Sequence, residues 1–215
     1  MKIFVRPPEK LDYYHAFNRG AHAAPLFHDK QDFERFLTLL YIANNTGHFI
    51  LRDMKTADIF ATMRTRALVD IAAYCLMSDR FHLVLRDREP NGAQHFIHKI
   101  STAYVMYYNR KYEHTGTVFT GTYRARRVPD QSRFYELISR VHLYPFSVKG
   151  NEDEVGEKER SKDAMPDGRQ EKKERSGTNM KKAVDLASRY EYSSMRDYLG
   201  EDRPQKVILS MDIKI

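Results

Sequence analysis

A single cysteine, Cys75, stands in 215 residues. One thiol forms no internal disulfide and leaves no cysteine-rich zinc site, a usage that fits a reducing cytosol. No apolar run approaches the roughly 18 residues of a membrane span, and the opening stretch MKIFVRPPEK has no long apolar core of a signal peptide. A cytoplasmic chain with no membrane partner is therefore expected. No internal repeat is present. Hydrophobic residues make up 41%, slightly below a compact domain, which implies one unburied segment. Acidic residues are outnumbered, 29 against 36 Lys and Arg, leaving a net charge of +7. That balance favours a polyanionic partner.

The charge is unevenly placed. Residues 149–182 hold ten Lys/Arg and nine Asp/Glu, a net of +1, with Val155, Met165 and Met180 as their sizeable apolar side chains. Such a stretch buries too little surface to offset its chain entropy and reads as a disordered or loosely helical insertion. The organisation expected is thus a folded unit over 1–146, a charged insertion over 147–182, and a helical tail over 183–215.

Within the folded unit, residues 12–18 (DYYHAFN) read as a strand ending at a turn, Asn18–Arg19–Gly20. Asp29 or Asp32 is placed to cap a helix reaching about Asn45, with Phe33, Phe36, Leu37, Leu40 and Tyr41 on its apolar face. His48–Leu51 is a short strand candidate. Val69–Met77 and Phe81–Arg86 are apolar runs divided by the polar Ser78–Asp79, the pattern of a hairpin. Asn91–Lys111 has helical spacing. Gly116–Val128 reads as a turn and then a strand, and Ser132–Leu143 as a helix stopped by Pro145. Helices alternating with antiparallel strands predict an α+β sandwich, the sheet covered by helices.

Five stretches in order carry a resemblance: YYHAFNRGAHAAPLFHDKQDFERFLTLL, AYCLMSDRFHLVL, TAYVMYYNRKYEHTGTVFTGTYRARRV, ELISRVHLYP and YEYSSMRDYLG. Together they resemble the IS200-like, or REP-associated, tyrosine transposases, single-strand DNA nucleases with a His-hydrophobic-His motif. The resemblance implies a ferredoxin-like domain, commonly a homodimer, that cleaves single-stranded DNA beside a hairpin. It also implies a tyrosine nucleophile that forms a covalent phosphotyrosine link. A divalent ion, Mg²⁺ or Mn²⁺, bound by the two histidines would orient the scissile phosphate.

Carried over position by position, the resemblance places the first motif histidine at Arg80 and the second at His82, which is retained. The nucleophile helix reads Arg140-Val141-His142-Leu143-Tyr144-Pro145. Arg140 falls at the tyrosine, and Tyr144 at the polar ligand one turn on. A guanidinium stays protonated and does not bind a metal as neutral imidazole does. Two replacements for the nucleophile remain open, Tyr144 one turn from Arg140 and Tyr135 near the helix start. Arg80 is placed to hold a phosphate directly. His82, between Phe81 and Leu83, is either a metal ligand or an ordinary half-buried histidine. Metal binding is thus expected to be absent, or weak if the chain is active.

Residues 104–127 interleave aromatics with cations, as single-strand binders do. Arg110, Lys111, Arg124, Arg126 and Arg127 are expected to contact phosphates, with Arg19 and Arg80 as further contacts and Tyr107 and Tyr108 as stacking platforms. At helical spacing these tyrosines equally suit the core. Gly116 and Gly121 permit tight turning and close backbone approach. Two functions follow as expectations: a DNA-binding protein that has lost tyrosine-mediated nicking and joining, or an active transposase using a displaced tyrosine.

Overall fold

Alternating side chains over Tyr13–Arg19 form strand β1, and the apolar runs Val69–Met77 and Arg80–Asp87 form β2 and β3, joined by the tight turn at Ser78–Asp79. The computed structural model describes residues 12–47, 56–61, 64, 66–146 and 171–210. Helix α1 (Lys30–Ile42) follows β1, α2 (Gly92–Lys111) follows β3, and β4 (Arg124–Arg127) precedes α3 (Gln131–Leu143). The strand order is β2-β3-β1-β4 and every pairing is antiparallel. A β-α-β-β-α-β chain with this order is the ferredoxin-like arrangement, so the α+β sandwich expected from the sequence is the fold.

Local chemistry explains the element ends. Asp29, not Asp32, caps α1, its carboxylate accepting from the Asp32 amide at 3.1 Å. Asp130 caps α3 in the same way, accepting from the Arg133 amide at 2.9 Å. At the start of α2, Gly92 is required: a Cβ there would lie 2.1 Å from the Leu68 carbonyl oxygen.

The expected turn at Asn18–Arg19–Gly20 is displaced. Gly20 stays extended, at φ −61° and ψ 142°, and bridges to Phe119. The chain turns instead at His22 and Ala23, both at positive φ. Gly20 serves close approach, since a Cβ would meet the Ala24 carbonyl oxygen at 1.9 Å. Gly116 and Gly121 do the reverse: both have positive φ, and nothing lies within 4 Å of an added Cβ. They turn the chain and bring no backbone close. The strand expected within 116–128 is confined to Arg124–Arg127. The strand candidate at His48–Leu51 lies outside the described residues.

The sheet is covered on both faces. Phe36 of α1 meets Phe81 at 5.1 Å and Tyr104 of α2 at 5.1 Å between ring centroids, which sets α1 and α2 on one face. Phe134 of α3 packs against Tyr13, ring centroids 4.7 Å apart, on the other. Residues 147–170, most of the expected charged insertion, lie outside the described residues. Helix α4 (Glu171–Ser188) crosses the expected boundary at 182–183 and leads into α5 (Met195–Tyr198).

The segment before α5 extends the sheet at its β2 edge. The Leu76 amide donates to the Tyr192 carbonyl at 2.9 Å, and the Ser194 amide to the Tyr74 carbonyl at 3.0 Å. Such an edge is otherwise open to pairing with other chains. His142 fixes the segment from α3 through a 2.8 Å hydrogen bond to Ser194 Oγ. Arg203 fixes it from the far side, donating to Asp197 at 2.6 Å and to the Tyr74 hydroxyl at 2.9 Å.

Candidate nucleic-acid interface

Register decides which side chains meet. Facing residues of neighbouring antiparallel strands project to the same side. Phe17 pairs with His82 and with Arg124, Arg19 with Arg80, and His15 with Arg126. All seven therefore share the α3 face of the sheet. Arg140 reaches the same region from α3, with its guanidinium 5.9 Å from the Tyr144 ring centroid. Five arginines thus surround one buried patch. Arg19, Arg124 and Arg126 are exposed; Arg80 and Arg140 are half-buried.

At the centre lies an imidazole pair. His15 Nε2 and His82 Nδ1 are 3.0 Å apart, so one ring donates and the other accepts. Burial holds both neutral. It pushes His15 down to about 4, with Arg140 and Arg126 adding to the effect, and puts His82 well below the ordinary imidazole range, with His15, Arg80 and Arg140 adding there. His82 is 5% exposed, and its Nε2 is buried without a hydrogen-bond partner. Leaving such an atom unpaired costs about 1–3 kcal/mol. Tyr144, 6% exposed, lays its ring 4.2 Å from His82 and packs near His15.

A narrow cleft opens beside His82, walled by Phe17, Arg19, Arg80 and Arg124 and by Asn18 and Thr120. Arg19 and Arg80 face each other directly across two strands. Like charges so placed oppose one another. Asp79 relieves this in part by accepting from Arg80 Nη2 at 3.0 Å. Across the patch, the Arg126 guanidinium sits 5.6 Å from the Phe17 ring centroid.

This donor set does not fit a divalent cation. The nearest nitrogens of the two imidazoles are occupied by each other, and the surrounding side chains are guanidiniums. Among the described residues no group of three or more His, Cys, Asp or Glu side chains is placed to hold a metal ion. The same charges that depress the two histidines repel a cation and attract an anion.

No protein-family model matches the chain, and no curated protein matches it. A solved structure of a REP-associated tyrosine transposase bound to a REP hairpin superposes with a TM-score of 0.49 at 7% identity, covering 100% of this chain and 94% of that one. This likeness is too slight to assign a function. No described helix is long and apolar enough to cross a membrane.

The residues singled out in the sequence fall into three groups. Arg19, Arg80, Arg124, Arg126, Arg140, His82 and Tyr144 come together as described. Lys111, Tyr107 and Tyr108 have structural partners instead. The Lys111 ammonium contacts Asp29 at 2.8 Å and Asp32 at 2.7 Å. The Tyr107 hydroxyl donates to Asp32 at 2.8 Å, and Tyr108 is buried with its hydroxyl 2.9 Å from His28 Nε2. Elsewhere, Arg127 points to the opposite face of the sheet and pairs with Asp12 at 3.2 Å. Arg110 is exposed at the end of α2. Tyr135 packs against Phe134, and its hydroxyl accepts from Gln131 at 3.3 Å.

His15 is the central residue that sequence reasoning missed. Its alternation with Tyr13 and Phe17 placed the three on one strand face, but nothing local pairs that strand with His82. His142, two residues from Arg140, turns away from the patch, towards Ser194.

Proposed function

We propose that this chain binds single-stranded or hairpin DNA on the arginine-bearing face of its sheet, without a metal ion and without forming a phosphotyrosine. The observation that carries this reading is the convergence of Arg19, Arg80, Arg124, Arg126 and Arg140 around two neutral imidazoles. Guanidiniums contact phosphate oxygens in bidentate fashion. Phe17, beside Arg126, offers a face on which a base can stack. Lys111, Tyr107 and Tyr108 are left out of the proposed interface because their polar groups are used within the protein.

The competing reading, an active transposase, draws support from the closeness of Tyr144 to His82. Its burial argues against it, because a nucleophile must meet the scissile phosphate in line and at contact distance. Tyr135 is half-buried near the start of α3, where it packs on Phe134 and accepts from Gln131.

The test uses a labelled hairpin oligonucleotide with a single-stranded extension. Five phosphate contacts predict that log K falls with log salt at a slope of roughly −3.5, about a hundredfold loss between 50 and 200 mM. EDTA is expected to leave binding unchanged, and denaturing gels with Mg²⁺ or Mn²⁺ to show no shifted band. A denaturation-resistant adduct that disappears in Tyr144→Phe or Tyr135→Phe would restore the transposase reading. No binding at low salt would remove both.

A further inference from the structure

The cleft beside His82 is more specific than a basic surface. Its lining carries three guanidiniums, those of Arg19, Arg80 and Arg124, and no carboxylate. Asp79, just outside it, takes one edge of Arg80. The accessible interior measures about 30 Å³, room for a phosphoryl head. At its floor lies an imidazole held in one orientation by His15, with a buried nitrogen that has no partner. If His15 Nε2 donates to His82 Nδ1, then His82 Nε2 carries a proton of its own. That N–H is a donor with nothing in the protein to accept it.

We propose that this cleft holds a terminal phosphate of the bound nucleic acid, a phosphomonoester at a strand end. The inference rests on the DNA-binding reading above and adds to it which part of the nucleic acid the cleft takes. A phosphate within a chain carries one negative charge and must bring two sugars with it. A terminal phosphate carries between −1.5 and −2 at neutral pH, as phosphomonoesters do, and presents three free oxygens. Three guanidiniums line the cleft, Arg80 also meeting Asp79, and bring positive charge towards that anion. In that tautomer the His82 N–H, otherwise without an acceptor, would be a neutral donor to one oxygen. Thr120, on the opposite wall, is held by its own hydroxyl donating to the Gly20 carbonyl at 2.7 Å, which keeps that side of the cleft fixed.

The experiment measures anisotropy of one hairpin sequence, labelled in its loop, carrying a 5′-phosphate, a 3′-phosphate, or hydroxyls at both ends, all in EDTA. One phosphorylated form is expected to bind at least tenfold more tightly than the hydroxyl form, and millimolar inorganic phosphate to abolish the difference. Arg124→Gln, at an exposed edge-strand position, is expected to reduce the preference below threefold while the protein keeps its circular-dichroism spectrum. Equal affinity for all three hairpins would overturn the terminal-phosphate site and leave DNA binding standing. A preference that persists in both Arg124→Gln and Arg80→Gln would overturn it too. No binding of any hairpin would remove the DNA-binding reading itself.

Discussion

Acid should unfold this protein through its buried histidines, and His142 makes the effect measurable. His142 is 2% exposed, and burial, with Arg203 nearby, pushes its imidazole down to about 3. In the unfolded chain the same group titrates near 6.5. Between those values the unfolded state binds a proton that the folded state refuses. The stabilisation is therefore complete above about pH 6.5 and falls by about 1.4 kcal/mol per unit as pH drops towards 3. At pH 4.5, two units below the unfolded value, His142 alone accounts for roughly 2.7 kcal/mol. His15, pushed down to about 4, acts in the same direction and adds roughly 2.5 kcal/mol by that pH. His82, held well below the ordinary imidazole range, acts in the same direction, because the unfolded chain protonates each imidazole separately. His142 and His15 together account for about 5 kcal/mol, with His82 adding to it, and that is comparable with the whole stability of an ordinary domain.

The assay is urea denaturation followed by circular dichroism at pH 7.0, 6.0, 5.0 and 4.5. His142→Gln removes the titrating group and keeps a hydrogen-bonding partner for Ser194. Wild type is expected to lose at least about 5 kcal/mol between pH 7.0 and 4.5, and His142→Gln about 2.5 kcal/mol less than wild type, from a lower starting point. Parallel pH dependence in the two proteins would refute the assignment to His142. Greater stability at pH 5.0 than at 7.0 would refute the sign.

Two further substitutions test the packing that positions the site. Asp32 is fully buried and receives Lys111, the Tyr107 and Tyr112 hydroxyls and the His28 amide; Asp32→Ala is expected to cost about 3 kcal/mol by thermal denaturation, far more than Asp29→Ala, and the reverse order would disprove the role of Asp32 as the hub. Arg203→Met leaves the buried Asp197 carboxylate without its partner and should cost about 3–5 kcal/mol, with faster amide exchange at Leu76 and Tyr74, whose hydrogen bonds to the added segment would open first; unchanged exchange there would show that the segment holds without Arg203.

The hairpin and the major helices were legible because burial imposes a period that local sequence reports. Ser78–Asp79 interrupts two apolar runs, and Asp130 and Asp29 stand where helix caps belong. What could not be read was anything set by register. His15 and His82 lie far apart in the chain and meet only because β1 pairs with β3. The partners of the interleaved aromatics of α2 could not be read for a related reason. Tyr104, Tyr107, Tyr108 and Lys111 follow the spacing of one helix face, and that face packs against the start of α1 and the segment before it, where Asp32 takes Tyr107 and Lys111, the Leu26 carbonyl takes Tyr104, and His28 meets Tyr108. Composition alone does not distinguish a basic aromatic strip facing solvent from the same strip facing a buried carboxylate. By contrast, the short run Arg124-Ala125-Arg126-Arg127 divides by strand alternation. Two of its arginines join the patch, and the third pairs with Asp12 on the other face.

Arg80, two residues before His82 on the same strand face, sets the sign of the charge beside the imidazole pair. A dication about 6 Å from a single guanidinium is disfavoured by roughly 5 kcal/mol at an effective dielectric of about 20, and Arg80 is one of five arginines around this patch. The imidazoles are neutral, the form that a metal requires, but one nitrogen of each is taken by the other. The surrounding charge is the larger obstacle, and the same charge favours an anion. Since the guanidiniums keep their protons at every physiological pH, that attraction needs no protonation of His15 or His82. On the proposed reading the arginines supply the field and the neutral histidines supply shape. Two uncharged rings can therefore sit at the centre of a patch ringed by five arginines without weakening its attraction for an anion.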